Sequence, residues 1–223
     1  MVGSGVHLAG EHNASTSCPN QEQSVAASVQ TLTLEMRYTT NERLALKFPK
    51  QIFKENLDHF IQSIANVPFM SFNRWAARSK TTLQSLKITH ILNAADGPYS
   101  INTGAKYYAD LQIEYYGVEA FDDPAFDLSI FFYDAANFIR KALNSSGGKV
   151  FVHCAMGVSR SATLVLAFLM IHENMTLVDA LKTVSAHRNI CPNTGFLSQL
   201  RDLDIKLNEE RKRNRASEWQ GRC

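Results

Sequence analysis

Cys154 stands at the mouth of the run His153-Cys154-Ala155-Met156-Gly157-Val158-Ser159-Arg160-Ser161, whose residue types describe a nucleophile set in an anion cradle. A β-rich stretch, Lys149-Val150-Phe151-Val152, precedes the run, and the apolar segment ATLVLAFLMI follows it. Strand, sharp loop and buried helix in that order aim backbone N–H groups and the positive helix end at one point. The thiolate is the reactive form of cysteine, and thiols at a helix N-terminus beside an arginine ionise more readily than free ones. Arg160 falls where the loop turns into the helix, and its planar fork suits two phosphate oxygens better than a lysine would. Gly157 gives the loop the conformational freedom to converge its amides, with Ala155, Met156, Val158 and Ser159 as the other lining residues. Ser161 is placed to hydrogen-bond the sulfur and ease its departure. The chemistry implied is sulfur attack on a phosphate ester, which asks for positioning and charge stabilisation and is expected to need no metal or other cofactor.

Expelling an oxyanion unaided is hard, so a carboxylic acid is expected on a neighbouring loop. Phe121-Asp122-Asp123-Pro124 offers two, Asp122 and Asp123. The plain alternative is that both merely build the turn before Pro124.

The elements that must position these residues are legible in part. Lys87–Ala95 reads as a strand stopping at Asp96-Gly97-Pro98, and Leu111–Ala120 reads as a second. Asp127 reads as the N-cap of a helix with Leu128, Phe131, Phe132, Ala135, Phe138, Ile139 and Ala142 on one stripe, ending at Asn144-Ser145-Ser146-Gly147-Gly148. Thr176 with Asp179 resembles a capping box opening an amphipathic helix through Leu177, Ala180, Leu181 and Val184. A last helix is expected from Asn193, using Phe196, Leu197, Leu200, Leu203 and Leu207. A helix over Gln51–Ala65 is a further expectation. Strands alternating with helices give an α/β domain whose mainly parallel sheet lies between helices.

Bulk composition narrows the class. A chain of 223 residues with 45% hydrophobic content can bury one full-sized core. A formal net charge of +2, with both signs interspersed, favours neither nucleic acid nor an anionic membrane as partner. The longest apolar run, Ala162–Ile171, is about half the ~20 residues a spanning helix needs. Four cysteines, Cys18, Cys154, Cys191 and Cys223, fit no disulfide framework and point to a reducing, cytoplasmic compartment. The opening MVGSGVHLAGEHNAS carries neither signal-peptide nor myristoylation features. His187 and Cys191 read as a surface pair rather than zinc ligands, though Cys191 is also a candidate redox partner of Cys154. His153 reads as a residue that orients the loop. Arg211-Lys212-Arg213-Asn214-Arg215 reads as a solvated run, with nuclear import as its functional alternative.

The pattern HCxxGxxRS, together with ITHILNAADG, YYGVEAFDDPAFDLS, ATLVLAFLMI and AHRNICPNTGFLSQL, resembles the small atypical dual-specificity phosphatases of the cysteine-based protein tyrosine phosphatase superfamily. The testis and skeletal-muscle type is the nearest in pattern, and the resemblance spans about Trp75 to Leu207. It implies a protein tyrosine phosphatase-like fold, with Cys154 as nucleophile, Arg160 as phosphate anchor, Ser161 as thiolate-assisting hydroxyl and Asp122 as general acid. It also implies a pocket shallow enough for phosphoserine and phosphothreonine besides phosphotyrosine, and phosphorylated proteins as partners. The stretch 66–74 departs from the family's usual strand and Gly-Asp or Gly-Asn turn. The domain plan is an arm at 1–30, an N-terminal region at 31–74, the catalytic domain at 75–208 and a charged tail at 209–223. Two rival readings are a non-catalytic phosphoprotein-binding scaffold and a phosphatase for non-protein phosphate esters.

Overall fold

Residues 74–98, 100–145 and 147–220 are described by a computed structural model. The arm, the stretch 31–73 with its expected helix at 51–65, Cys18 and Cys223 lie outside the described residues. Within them, three short strands make one parallel sheet. The first, β1 (His90–Asn93), is central, flanked by β2 (Glu114–Gly117) and β3 (Val150–His153), in the order β2-β1-β3. β1 and β2 are shorter than the β-rich runs that announce them, and β3 is shifted one residue on from its run. Every residue of β1 and β3 is buried, whereas β2 is half-exposed, so β1 and β3 are covered on both faces and show no alternation of buried and exposed positions. Asn93 is tolerated at 0% exposure because its amide donates to the Ile101 carbonyl and the Tyr115 hydroxyl, both at 2.9 Å, and accepts from the Ala95 amide at 3.0 Å.

The register aligns Asn93 with Gly117 on one side and His153 on the other. All three strands therefore end at the same edge. The connections leaving the carboxyl ends of parallel strands form the crevice where α/β sheets take their ligands. Cys154 opens the connection after β3, and Asp122 sits on the one after β2.

The helices are α1 (Arg74–Arg78), α2 (Lys80–Ser85), α3 (Gly104–Tyr107), α4 (Phe132–Asn144), α5 (Arg160–His172), α6 (Leu177–Ser185) and α7 (Thr194–Gln220). Each residue of α5 from Arg160 to Met170 is buried, which matches its apolar circumference and makes it the central helix. In α6 the expected stripe, Leu177, Ala180, Leu181 and Val184, is buried, and Thr176 caps it by accepting the Asp179 amide at 3.1 Å. Asn193 caps α7 in the same way, accepting the Phe196 amide at 2.9 Å.

Two expectations need correction. Asp127 does not open α4: its carboxylate accepts the Ser129 amide at 3.0 Å, and a 3-10 turn, Ser129–Phe131, intervenes before α4 begins at Phe132. Nor does the final helix stop near residue 208. Arg211 in its extension is held against α5, with Nη2 donating to the Met170 carbonyl at 2.6 Å, so that part of the charged run packs on the domain. That carbonyl is one of the last four of α5, which lack partners within the helix.

Candidate active site

Cys154 follows β3 directly and is 1% exposed. Its sulfur receives two donors: the Gly157 amide at 3.1 Å and the Ser161 hydroxyl at 3.4 Å. Gly157 adopts φ +77°, a left-handed conformation that glycine takes without strain and that folds the loop back over the sulfur. The loop ends at Ser159, which caps α5 by position but not by its side chain. That hydroxyl instead donates to Asp122 Oδ1 at 2.7 Å. The first turn of α5 thus keeps its positive end facing the loop.

Arg160 is 8% exposed. Its Nη1 donates to the Ala120 carbonyl at 2.9 Å, while Nε lies 3.6 Å from Asp122 Oδ2 and is buried with no hydrogen-bond partner among the described residues. A buried guanidinium N–H without a partner carries a desolvation cost that an oxyanion would offset. The donor set of this loop therefore suits a phosphate group.

The two carboxylates of the loop after β2 have separate fates. Asp122 Oδ1 accepts from Ser159 and, at 3.1 Å, from the Asn193 side-chain amide. Asp123 accepts the Ala125 amide at 2.8 Å, closing a local turn within its own loop. Only Asp122 is joined to the cysteine loop. The tie between this loop and α7 is backbone-deep: a Cβ at Gly195 would lie 1.9 Å from the Pro124 carbonyl oxygen. Gln199 adds a second tie, accepting the Leu128 and Ser129 amides at 2.9 and 3.1 Å and donating to the Phe126 carbonyl at 2.8 Å.

His153, 0% exposed, stacks near Phe151 with ring centroids 5.3 Å apart. Burial pushes its pKa down to about 4, partly opposed by a hydrogen bond to the Cys154 carbonyl, so it is neutral at physiological pH. Met156 and Phe121 are each 67% exposed on the two loops that carry Cys154 and Asp122. Ala155 and Val158 are half-buried, and the Ala155 carbonyl accepts the Arg74 amide at 3.3 Å. His187 and Cys191 are both exposed, and among the described residues no group of three or more metal-binding side chains comes together.

Of the residues read from the sequence as part of the site, Cys154, Gly157, Ser159, Arg160, Ser161 and Asp122 are linked at this edge of the sheet, whereas Asp123 turns to the Ala125 amide. Asn193 and Ala120 were not foreseen as contacts of Asp122 and Arg160. Both lie in stretches that carry the resemblance, yet nothing in their residue types marks them as site members.

The model of the dual specificity phosphatase catalytic domain matches residues 72–206. Human dual specificity protein phosphatase 13B is 62% identical over 136 residues, covering 61% of this chain and 69% of that protein. The mouse protein of the same name is 60% identical over 136 residues, with the same coverage of 61% and 69%. Among solved structures, a mouse dual specificity phosphatase complexed with zinc tungstate has a TM-score of 0.53 at 30% identity, covering 62% of this chain and 82% of that one. Human DUSP28 has a TM-score of 0.52 at 28% identity, covering 61% and 87%.

Proposed function

The chain belongs to the dual specificity phosphatase family, and from that premise we propose how its residues divide the hydrolysis of phosphotyrosine and of phosphoserine or phosphothreonine in proteins. Cys154 Sγ attacks the phosphorus, forming the S–P bond as the bond to the side-chain oxygen breaks. Asp122 delivers its proton to that oxygen as it leaves. Water then attacks the phosphocysteine, Asp122 takes the water's proton, and the S–P bond breaks with Ser161 donating to the departing sulfur. Arg160 and the amides of Ala155, Met156, Gly157, Val158 and Ser159 carry the charge of the equatorial oxygens.

The observation that carries this reading is the pair of donors aimed at Cys154 Sγ, from Gly157 and Ser161, with Asp122 bonded to the same loop through Ser159. Turnover of phosphotyrosine and phosphothreonine peptides in EDTA, inhibited by vanadate and abolished in Cys154→Ser, is the expected result. Undiminished turnover by Cys154→Ser would refute it. A panel of lipid, RNA and sugar phosphates run beside the peptides separates protein from non-protein substrates.

A thiol nucleophile works only while reduced, which supports a cytoplasmic location, and the exposed cations at residues 212, 213 and 215 are the feature that would favour nuclear entry. Fractionation of cells expressing the chain, with and without those cations, tests both.

A further inference from the structure

The turn between α6 and α7 meets the cysteine loop at three successive residues. Arg188 Nη2 donates to the Gly157 carbonyl at 2.6 Å. The Cys191 amide donates to the Val158 carbonyl at 2.8 Å, and the Asn193 amide donates to the Ser159 hydroxyl oxygen at 3.3 Å. The described peptide bonds include no cis bond. In a trans peptide the C=O and N–H of one unit point in opposite directions. Holding the Gly157 carbonyl from outside therefore turns the Val158 amide inward, and holding the Val158 carbonyl turns the Ser159 amide inward. Neither amide has an acceptor among the described residues, as expected of donors reserved for an anion.

The environment of Arg188 strengthens its grip. A cavity of about 10 Å³ behind the loop is walled by Val152, Val165, Val184 and Ile190 beside the guanidinium, and hydrogen bonds from a charged donor gain in such apolar surroundings. Burial lowers the Arg188 pKa to about 10, and the charge of Cys154 pulls it back up, so the side chain is a cation at neutral pH and lies within electrostatic reach of the sulfur.

We infer that Arg188 is a positioning residue of the phosphate site: by fixing the Gly157 carbonyl it aims the Val158 amide at the oxyanion, without touching substrate itself. The role rests on the phosphatase reading for its catalytic consequence, but not for its consequence in anion binding. A mis-aimed amide loses most where negative charge is greatest, so kcat falls more than KM rises. Loss of a whole oxyanion donor costs about 10²–10³ in kcat, and mis-aiming one is expected to cost about tenfold.

The test measures vanadate affinity by titration, and kcat and KM with a phosphotyrosine peptide, for the full chain, Arg188→Met and Arg188→Lys. Each value is referred to the folded fraction from circular dichroism. Arg188→Met is expected to lose about tenfold in both vanadate affinity and kcat, and Arg188→Lys, which keeps a cationic donor, to recover most of both. Should Arg188→Met fail to fold, Arg188→Lys is compared directly with the unaltered chain, and a smaller loss in the same two quantities is expected. Unaltered vanadate affinity per folded molecule in Arg188→Met, or in Arg188→Lys where only that variant folds, overturns the inference and leaves catalysis by Cys154 standing. An unaltered chain that binds vanadate in an Arg188-dependent way yet turns over no phosphopeptide overturns the catalytic reading and supports this one.

Discussion

At the scale of single residues, the site gives like groups unlike partners. Asp122 and Asp123 are adjacent and chemically identical, but one carboxylate is bonded to the cysteine loop through Ser159 and the other closes a turn on the Ala125 amide. Asp122→Asn is expected to lower kcat by about 10²–10⁴ on phosphopeptides, the range of a lost general acid. With an aryl phosphate whose phenol leaves easily the loss should nearly vanish, and a Brønsted plot of the two enzymes checks this. Asp123→Asn should differ little from the unaltered chain in either assay. His153 makes a prediction about pH. Its folded pKa, pushed down to about 4 by burial, lies below the unfolded value near 6.5, so the unfolded chain binds the extra proton first as pH falls. The stability that a neutral buried imidazole contributes is then present above about pH 6.5 and lost progressively toward pH 4. Urea midpoints across that window should decline, and the decline should be shallower in His153→Asn.

At the scale of elements, the acid loop owes its place to α7 rather than to its own turn. Gly195 lets the first turn of that helix lie directly on the Pro124 backbone, and Gln199 ties down the Phe126, Leu128 and Ser129 backbone groups. A methyl at Gly195 meets a carbonyl oxygen that no rotamer change can move aside. Gly195→Ala is therefore expected to destabilise the fold by about 1–3 kcal/mol, the usual cost of overpacking. It should also lower kcat by displacing Asp122, and lower vanadate affinity less, because the cysteine loop feels the clash only through its hydrogen bonds to that segment. Thermal melts and the two binding and rate constants distinguish these effects. An Asp122 loop unaffected by this change would show as normal kcat despite the lower melting temperature.

At the scale of the whole described domain, α5 is the axis on which the site depends, with the phosphate loop at its amino end. Its carboxyl end is tied by Arg211, which lies beyond residue 206, where the family match stops. Arg211→Met removes a charge-assisted bond to the Met170 carbonyl and is expected to cost about 1.5–3 kcal/mol. Activity per folded molecule should be unchanged, since the contact sits at the far end of the helix. A chain ending at Asn208 should show the same loss in a denaturant titration. Full stability of either variant would show that the extension of α7 does not brace the domain.

The sequence by itself determined that Cys154, Arg160 and Ser161 share one loop between a strand and a helix, the order of those elements and the burial of α5. These are local facts: a strand, a sharp loop and an apolar helix occur within one short stretch, so periodicity and spacing suffice to read them. Helix stripes such as Leu177, Ala180, Leu181 and Val184 were legible for the same reason. The tertiary structure alone brought Asn193 to Asp122 and Arg188 to the Gly157 carbonyl, and carried Arg211 back to α5. Those contacts join residues 31 to 71 positions apart. No pattern within one segment encodes them, because they arise only when the loops and helices that follow the strands are packed against one another. The chemistry of Cys154 could thus be read from its neighbours in sequence, whereas the aim of its acid and of its cradle depends on neighbours that folding supplies.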